Sequence, residues 1–213
     1  MKLVFPRLYV ILDAGLLRTS VREFAVRLAE SGVELIQYRD KVSASQMLLS
    51  QAKEIVADLR PRGACLVVND RADIAAISGA AGVHVGQEDI APEGARTVCG
   101  AGRWVGISTH TAEQVRRAAA TTADYIAVGP VFETRTKANS DPAVGLELIR
   151  RAKTMTEKPI VAIGGITLER AGEAYAAGAD SVAIASDIIL SADSGARARA
   201  YLEVAARVPG QEL

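Results

Sequence analysis

Short apolar segments alternate with amphipathic segments along almost the whole chain, and this alternation limits the possible folds more than any other feature. The apolar segments are rich in Val, Ile, Leu and Ala, as is typical of strands that are buried on both faces. We predict eight strands, at Leu8–Leu12, Leu35–Tyr38, Leu66–Val68, Gly82–Val85, Val105–Ile107, Tyr125–Val128, Ile160–Ile163 and Val182–Ile184. The segments between them predict amphipathic helices, for example at Ser20–Glu30, Ser43–Leu59, Ala112–Ala120, Gly145–Met155 and Leu168–Ala177.

Eight strand–helix units in 213 residues leave room only for short connections. We therefore predict one domain, residues 1–213, folded as a single α/β (β/α)8 TIM barrel with parallel strands. The main alternative is a doubly wound open sheet, which also alternates strands with helices and usually has a glycine-rich dinucleotide-binding turn after its first strand. This chain has only Asp13-Ala14-Gly15 at that point, so the closed barrel is favoured.

The composition argues against several classes of function. Lys+Arg and Asp+Glu number 25 each, so no basic surplus points to nucleic acid, and no apolar segment has the length of a membrane span. The N-terminal segment is interrupted by Pro6 and Arg7 and has no clear small-residue cleavage site, so we expect a first strand and not an export signal. Cys65 and Cys99 lack a metal-binding spacing. A disulfide between them is an alternative, but a reduced, cytoplasmic chain is the simpler interpretation.

Two turns of small residues follow the last two predicted strands. Gly164-Gly165-Ile166 comes after Val161–Ile163, and Ala185-Ser186-Asp187 comes after Ser181–Ile184. Small side chains let backbone N–H groups approach an anion, and the loops after strands seven and eight of such barrels frequently bind phosphate. We therefore expect an enzyme whose substrate carries phosphate.

The earlier strands also end in polar residues, which would face the active site of a barrel. Gln37, Arg39 and Lys41 share one face of the second strand by the two-residue period, although an exposed strand edge is an alternative. Asp70 and Asp89 follow the third and fourth strands, and such a pair suits Mg²⁺, which takes few protein oxygens. Alternatively, Asn69, Asp70 and Asp89 only cap the helices that follow.

The fifth and sixth strands end in small hydroxyl residues. Ser108 and Thr109 could orient a substrate or cap the next helix. Thr134, Thr136 and Lys137 place two hydroxyls and a cation within four residues, which can grip a phosphate, whereas a solvated loop is the alternative. The longest irregular segment, from Phe132 to Val144, predicts a mobile loop over the site.

No Ser/His/Asp arrangement is evident. His84 lies inside an apolar strand and is expected to be a structural histidine with satisfied hydrogen bonds. His110 has no evident acidic partner. A reaction that depends on stabilising a leaving group needs cations and a metal more than a proton shuttle.

These motifs together resemble the thiamine phosphate synthase family over nearly the whole chain. The resemblance rests on Gln37–Lys41, Val68–Arg71, Gly82–Asp89, Gly106–Thr109, Gly129–Lys137 and Ala162–Ile166. It implies a transferase that couples 4-amino-2-methyl-5-hydroxymethylpyrimidine diphosphate with 4-methyl-5-(2-hydroxyethyl)thiazole phosphate and releases thiamine phosphate and diphosphate. It also implies that the pyrimidine C–O bond breaks largely before the thiazole nitrogen attacks, with Mg²⁺ taking up charge on the diphosphate.

The resemblance further implies a role for each matching residue. Asp70 and Asp89 would hold Mg²⁺, and Arg39, Lys41, Ser108 and Lys137 would act in catalysis. The expected ligands of the pyrimidine diphosphate are Gln37, Arg39, Lys41, Asn69, Ser108 and Lys137. The expected ligands of the thiazole phosphate are Thr134, Thr136, Gly165, Ala185 and Ser186. Within the same motifs, Tyr38, Asp40 and Arg135 are also expected to bind substrate.

Two alternative functions would use the same barrel. The related thiazole tautomerase shares the thiazole phosphate site, but its sixth-strand motif carries His where this chain has Pro130. The presence of Asp70 and Asp89 together with Arg39 and Lys41 favours the synthase. A non-catalytic sensor of a phosphorylated ligand is the second alternative, and it would have no need for a metal pair beside a cationic cluster.

Overall fold

A computed structural model of the chain describes residues 5–134 and 142–208. Within these residues eight parallel strands pair in chain order and close into a barrel, because β1 pairs with both β2 and β8. The strands are β1 (Leu8–Asp13), β2 (Leu35–Arg39), β3 (Cys65–Asn69), β4 (Gly82–Val85), β5 (Trp104–Thr109), β6 (Tyr125–Val128), β7 (Ile160–Ile163) and β8 (Ser181–Ile184). The predicted (β/α)8 barrel is confirmed, and the open sheet is excluded.

Helices follow each strand and cover the outside of the barrel. They are α1 (Val21–Glu30), α2 (Ser45–Leu59), α3 (Ala72–Ser78), α4 (Pro92–Cys99), α5 (Ala112–Ala119), α6 (Gly145–Met155), α7 (Leu168–Ala176), α8 (Ser186–Ile189) and α9 (Ser194–Arg207). The predicted first residue of α1, Ser20, is instead its N-cap, with the side chain accepting a hydrogen bond from the Glu23 amide at 3.4 Å. In the part of the chain that the structure describes, no helix is long and apolar enough to cross a membrane.

Side chains alternate between the two faces of the barrel wall, as the two-residue strand period requires. In β1, Leu8, Val10 and Leu12 belong to the layer between the strands and the helices. Tyr9 and Ile11 belong to a second cluster inside the barrel. The ring centroid of Phe5 lies 4.6 Å from that of Tyr125 and 6.0 Å from that of Tyr9, so Phe5 closes the amino-terminal end of the barrel. The opposite end is therefore where a ligand can enter.

Gly106 makes room for Tyr125 inside the barrel. A Cβ atom at this position would lie 2.0 Å from the Tyr125 ring, a distance that side chains do not tolerate. The glycine lets the Tyr125 ring lie across the barrel, with its hydroxyl next to Tyr9 of β1 and His84 of β4. The interior therefore contains a polar layer above the apolar Phe5 plug.

Candidate functional site

A cleft of about 470 Å³ opens at the carboxyl ends of the strands. Its walls come from the ends of β1, β2 and β5 and from the connections that follow β6, β7 and β8. Six residues that the sequence singles out line this cleft together: Arg39, Ser108, Thr134, Gly165, Ala185 and Ser186. The volume suits a small organic ligand.

The charge of Arg39 is balanced by Asp13. The two residues face each other at the ends of β1 and β2, and their side chains form an ion pair in the cleft wall. The other oxygen of Asp13, Oδ1, accepts a hydrogen bond from the Gly15 amide at 2.9 Å. Asp13 was not among the residues predicted for the site, although its position directly after the first predicted strand was a usable signal. Arg39 is therefore a positioned cation and not a freely rotating one.

A continuous path of hydrogen bonds runs through the barrel interior and ends at Ser108. Gln37 Nε2 donates to the Tyr9 hydroxyl at 2.6 Å, and the hydroxyls of Tyr9 and Tyr125 are 3.0 Å apart. The Tyr125 hydroxyl lies 3.0 Å from His84 Nδ1, and His84 Nε2 lies 2.8 Å from Ser108 Oγ. His84 is thus the satisfied, buried histidine that the sequence predicts, but it also contacts a residue of the cleft.

Burial keeps both phenols of this path in their neutral form. It raises the pKa of Tyr9 and the pKa of Tyr125 far above the usual tyrosine value. The two hydroxyls can therefore each donate and accept one hydrogen bond at neutral pH. A buried network whose hydrogen bonds are satisfied holds its members in one geometry. His84 therefore fixes the position of the Ser108 hydroxyl from inside the barrel.

Ser108 and Thr109 point to opposite sides of the barrel wall. Ser108 lines the cleft, whereas Thr109 is completely buried on the outer side and donates to the Ala127 carbonyl at 2.9 Å. The N-cap of α5 is Thr111, whose side chain accepts from the Gln114 amide at 3.2 Å. The capping interpretation of Ser108 and Thr109 is therefore wrong.

Asp89 lies close enough to Asp70 to affect the charge of the Asp70 carboxyl. The pKa of Asp70 is raised, first by burial and then by the neighbouring Asp89 carboxylate, while contact with the Lys41 ammonium acts in the opposite direction. Asp70 also has a left-handed backbone (φ +62°), which is uncommon outside glycine. Strain and carboxylate repulsion that persist in one place are typical of a functional site.

The helix-capping interpretation of these carboxylates is not supported. The N-caps of α3 and α4 are Arg71 and Ala91, and neither helix has a side-chain capping bond. Asp89 Oδ2 instead accepts a hydrogen bond from the Gly86 amide at 2.7 Å within its own loop. Among the described residues no cluster of three or more His, Cys, Asp or Glu could hold a metal ion. A two-carboxylate pair fits Mg²⁺, which takes its remaining ligands from water and substrate phosphate.

Tyr38 and Asp40 are not brought to the cleft. Tyr38 lies on the outer side of β2, where its hydroxyl contacts Gln51 of α2 and Asp40. Partial burial would raise the pKa of Asp40, but hydrogen bonds from the amides of Ser43 and Val42 (3.0 and 2.9 Å) lower it overall. The strand period turns these two side chains away from Gln37 and Arg39. Their hydrogen bonds instead order the connection between β2 and α2.

The remaining predicted site residues differ in how deeply their side chains are buried. Gln37 is buried below Arg39 and is occupied by its bond to Tyr9. Asn69 is the last residue of β3 and is half-buried, while Lys41 is exposed. The predicted ligands Arg135, Thr136 and Lys137, and with them most of the predicted loop Phe132–Val144, lie outside the described residues.

The turn after β7 packs directly against the connection that follows β6. A Cβ atom on Gly165 would lie 2.4 Å from the Glu133 carbonyl oxygen, and Gly165 has a φ of +63°. The Phe132 amide donates to the Gly164 carbonyl at 3.0 Å. Only glycine permits both this approach and this backbone conformation. Thr134 is thereby held next to Gly165 at the end of the cleft where the sequence predicts a phosphate.

Two charged residues belong to this wall: Asp187, which the sequence places in the turn after β8, and Arg170, which was missed. Asp187 is held by Arg197, with contacts of 2.8 and 3.1 Å, and by the Tyr201 hydroxyl at 2.6 Å. Arg170 extends from the first turn of α7 and donates to the Gly165 carbonyl at 3.2 Å. The only available signal for Arg170 was its position five residues after Gly165, one turn into a predicted helix.

Comparison with known proteins gives consistent matches along the whole barrel. A family model described as thiamine monophosphate synthase matches residues 8–188. The chain is 45% identical over 207 residues to the thiamine-phosphate synthase of Koribacter versatilis, covering 95% of this chain and 97% of that protein. It is 42% identical over 193 residues to the thiamine-phosphate synthase of Methanocella arvoryzae, covering 90% and 91%.

A solved structure matches equally far along the chain. The thiamine phosphate pyrophosphorylase from Pyrococcus furiosus aligns with a TM-score of 0.87 at 29% identity, covering 96% of this chain and 97% of that one. The family match runs from the first residue of β1 into α8 and includes every candidate residue discussed above.

Proposed function

The chain belongs to the thiamine monophosphate synthase family, and from this premise we propose the reaction that it catalyses. It joins 4-amino-2-methyl-5-hydroxymethylpyrimidine diphosphate to 4-methyl-5-(2-hydroxyethyl)thiazole phosphate. The products are thiamine phosphate and diphosphate. The related enzymes are named thiamine-phosphate synthases, and neither the tautomerase nor the ligand-sensor hypothesis is supported by these matches.

The observation that carries this proposal is the presence, at one end of the barrel, of two separate groups of residues that are suited to hold phosphate groups. Arg39 and Lys41, beside Asp70 and Asp89, occupy the ends and following loops of β2, β3 and β4. The turns with Gly165 and Ser186 follow β7 and β8 on the other side of the mouth. An enzyme that couples two phosphorylated substrates needs two such groups of residues, whereas a one-substrate tautomerase or a sensor needs one.

Asp70 and Asp89 are the residues that would hold Mg²⁺, as part of the same proposal. The bound ion would offset the negative charge that develops on the departing diphosphate. Lys41 contacts Asp70, so its ammonium adds a further positive charge beside these carboxylates. Arg39, the last residue of β2, is held in place by Asp13 and contributes a second cation.

The coupling requires no proton transfer by the protein. The pyrimidine C–O bond breaks and its electron pair leaves with the diphosphate, and the lone pair of the thiazole nitrogen forms the new C–N bond. The reacting carbon therefore needs protection from water more than it needs a base. Apolar side chains of Ile11, Ile163 and Ala183 line the cleft and can limit water access to a cationic intermediate. Ser108, fixed by His84, can donate a hydrogen bond to the leaving group.

Arg135, Thr136 and Lys137 are proposed ligands of the substrates on the basis of the family resemblance. A cytoplasmic location is also proposed, and it is in keeping with Cys65 and Cys99 both being free thiols.

A coupling assay with both phosphorylated substrates tests the function. We expect thiamine phosphate to form with Mg²⁺ and to stop forming when a chelator is added. Circular dichroism on the same preparation establishes that the protein is folded. Folded protein that makes no thiamine phosphate at any Mg²⁺ concentration would refute the proposal, and turnover that persists in chelator would refute the metal role alone.

A further inference from the structure

The wall of the cleft that is predicted to receive the thiazole phosphate contains a cation that the family resemblance does not assign. Among the described residues, the expected ligands there are neutral groups, namely Thr134, Gly165, Ala185 and Ser186. A phosphate monoester carries nearly two negative charges at neutral pH. Hydroxyl and backbone N–H donors alone would leave this charge without a cationic partner. Arg170 lines the same wall.

Two contacts hold the Arg170 guanidinium in a defined orientation. Nη1 donates to the Gly165 carbonyl at 3.2 Å, and the guanidinium carbon lies 4.8 Å from the centroid of the Phe132 ring. Within the described part of the chain, stacking on an aromatic face and one hydrogen bond restrict this side chain while engaging few of its five N–H donors. The group is therefore positioned before a ligand arrives, and it keeps donors for that ligand.

Among the described residues, Arg170 forms no ion pair with the carboxylates that line the cleft, Asp13, Glu133 and Asp187. Asp187 is neutralised by Arg197, and Asp13 is neutralised by Arg39. No carboxylate of residues 5–134 or 142–208 lies within ion-pair distance of Arg170. The adjacent Glu169 is directed to Arg197 instead, at 3.9 Å. The positive charge at this wall is thus available to an anion in the cleft.

We infer that Arg170 binds the phosphate group of the thiazole substrate and sets the affinity of the enzyme for it. The inference rests on the proposed function, since that function names the substrate. A guanidinium binds a phosphate through parallel N–H donors, which also fixes the orientation of the phosphate. Arg170 would thereby orient the thiazole nitrogen towards the pyrimidine side of the cleft.

Arg170→Gln tests the inference through the two Michaelis constants. We expect the KM for thiazole phosphate to rise by about 10- to 100-fold, the usual effect of losing a hydrogen-bonded charge, while the KM for the pyrimidine diphosphate stays the same. Arg170→Lys keeps the charge without the planar donors, so its KM should fall between those of the wild type and Arg170→Gln. The matched control is Arg116→Gln, which removes an exposed arginine paired with Glu113 on α5.

Two kinetic outcomes would overturn the inference: an unchanged KM for thiazole phosphate, or an equal rise in both Michaelis constants, as a purely structural role predicts. Calorimetric titration of thiazole phosphate into wild type and Arg170→Gln, without the second substrate, separates the two proposals. If wild type binds thiazole phosphate but forms no product, the proposed function fails, while the difference in affinity between the two proteins still decides the role of Arg170.

Discussion

Ser108 Oγ lies 2.8 Å from His84 Nε2, and this contact connects a side chain of the cleft to the buried hydrogen-bond path of the barrel. The other ring nitrogen of His84 is 3.0 Å from the Tyr125 hydroxyl, so the imidazole has a partner on both sides. The position of the serine hydroxyl is therefore set from inside the barrel and not by solvent. We therefore expect the loss of the Ser108 hydroxyl to affect the reaction more than the fold.

Ser108→Ala is expected to lower kcat/KM by about 10- to 100-fold, because a hydrogen bond to a charged leaving group is lost. Its neighbour Thr109 provides the matched control, since Thr109 is buried on the opposite face and bonds the Ala127 carbonyl. Thr109→Val should cost about 1 kcal/mol in the free energy of unfolding and leave kcat/KM unchanged. Steady-state kinetics and urea unfolding measure both variants. The role of Ser108 in the reaction is wrong if Ser108→Ala leaves kcat/KM unchanged and Thr109→Val lowers it.

Asp70→Asn and Asp89→Asn should each raise the Mg²⁺ concentration needed for half-maximal activity by at least about 10-fold, because a ligand carboxylate loses its charge. Asp73→Asn is the control: Asp73 lies nearby in α3 but pairs with Arg71 at 2.6 Å. Activity measured across a Mg²⁺ series, with circular dichroism at each end, gives the result. A metal requirement that is identical in Asp70→Asn and Asp73→Asn would remove Asp70 from the site.

Gly106→Ala is expected to destabilise the barrel by about 1–3 kcal/mol, the usual cost of overpacking, because its Cβ would meet the Tyr125 ring. Gly172→Ala adds the same methyl group within α7, where a Cβ meets no atom within 4 Å, and should stabilise by about 0.5–1 kcal/mol through helix propensity. Urea unfolding curves of the two variants give opposite shifts of the midpoint. A Gly106→Ala protein as stable as the wild type would mean that the Tyr125 ring can move aside.

The fold was predictable because the alternation of strands and helices is local information. The eight predicted strands lie within one or two residues of the observed ones, and Gly32 and Gly178, which follow α1 and α7, have the left-handed φ of helix-ending glycines. The main errors concern helix starts, such as Ser43 and Ala44, which precede α2. Hydrophobic periodicity does not fix the first residue of a helix to better than one or two positions.

The site was only partly predictable, for a physical reason. Strand ends identify Arg39, Ser108 and Gly165, because every parallel strand delivers its carboxyl end to the same rim. Partners across the barrel, such as Tyr125 and His84, depend on the register of strands that are distant in sequence. Arg170 comes from a helix face, where an arginine is ordinarily solvated. Local sequence therefore identifies the side chains at the end of a strand, but not the residues that they contact across the barrel.

The buried tyrosines are expected to make the free energy of unfolding depend on pH in alkaline solution. Burial is the first cause of a raised pKa for all five: Tyr9, Tyr38, Tyr125, Tyr175 and Tyr201. The folded pKa therefore exceeds the unfolded value of about 10, so the contribution to stability is complete below that pH and is lost as the pH rises above it. The unfolded chain then releases phenol protons that the folded chain retains.

Tyr125→Phe isolates one of these phenols. Each tyrosine that ionises only in the unfolded state adds a slope of about 1.4 kcal/mol per pH unit, so the variant should lose stability less steeply than wild type above about pH 10. It should also be less stable at pH 8, since Tyr9 and His84 lose a hydrogen-bond partner. Urea unfolding across this pH range measures both effects. Lysines and cysteines titrate alike in the two proteins, so parallel curves would show that the Tyr125 phenol ionises in the folded barrel.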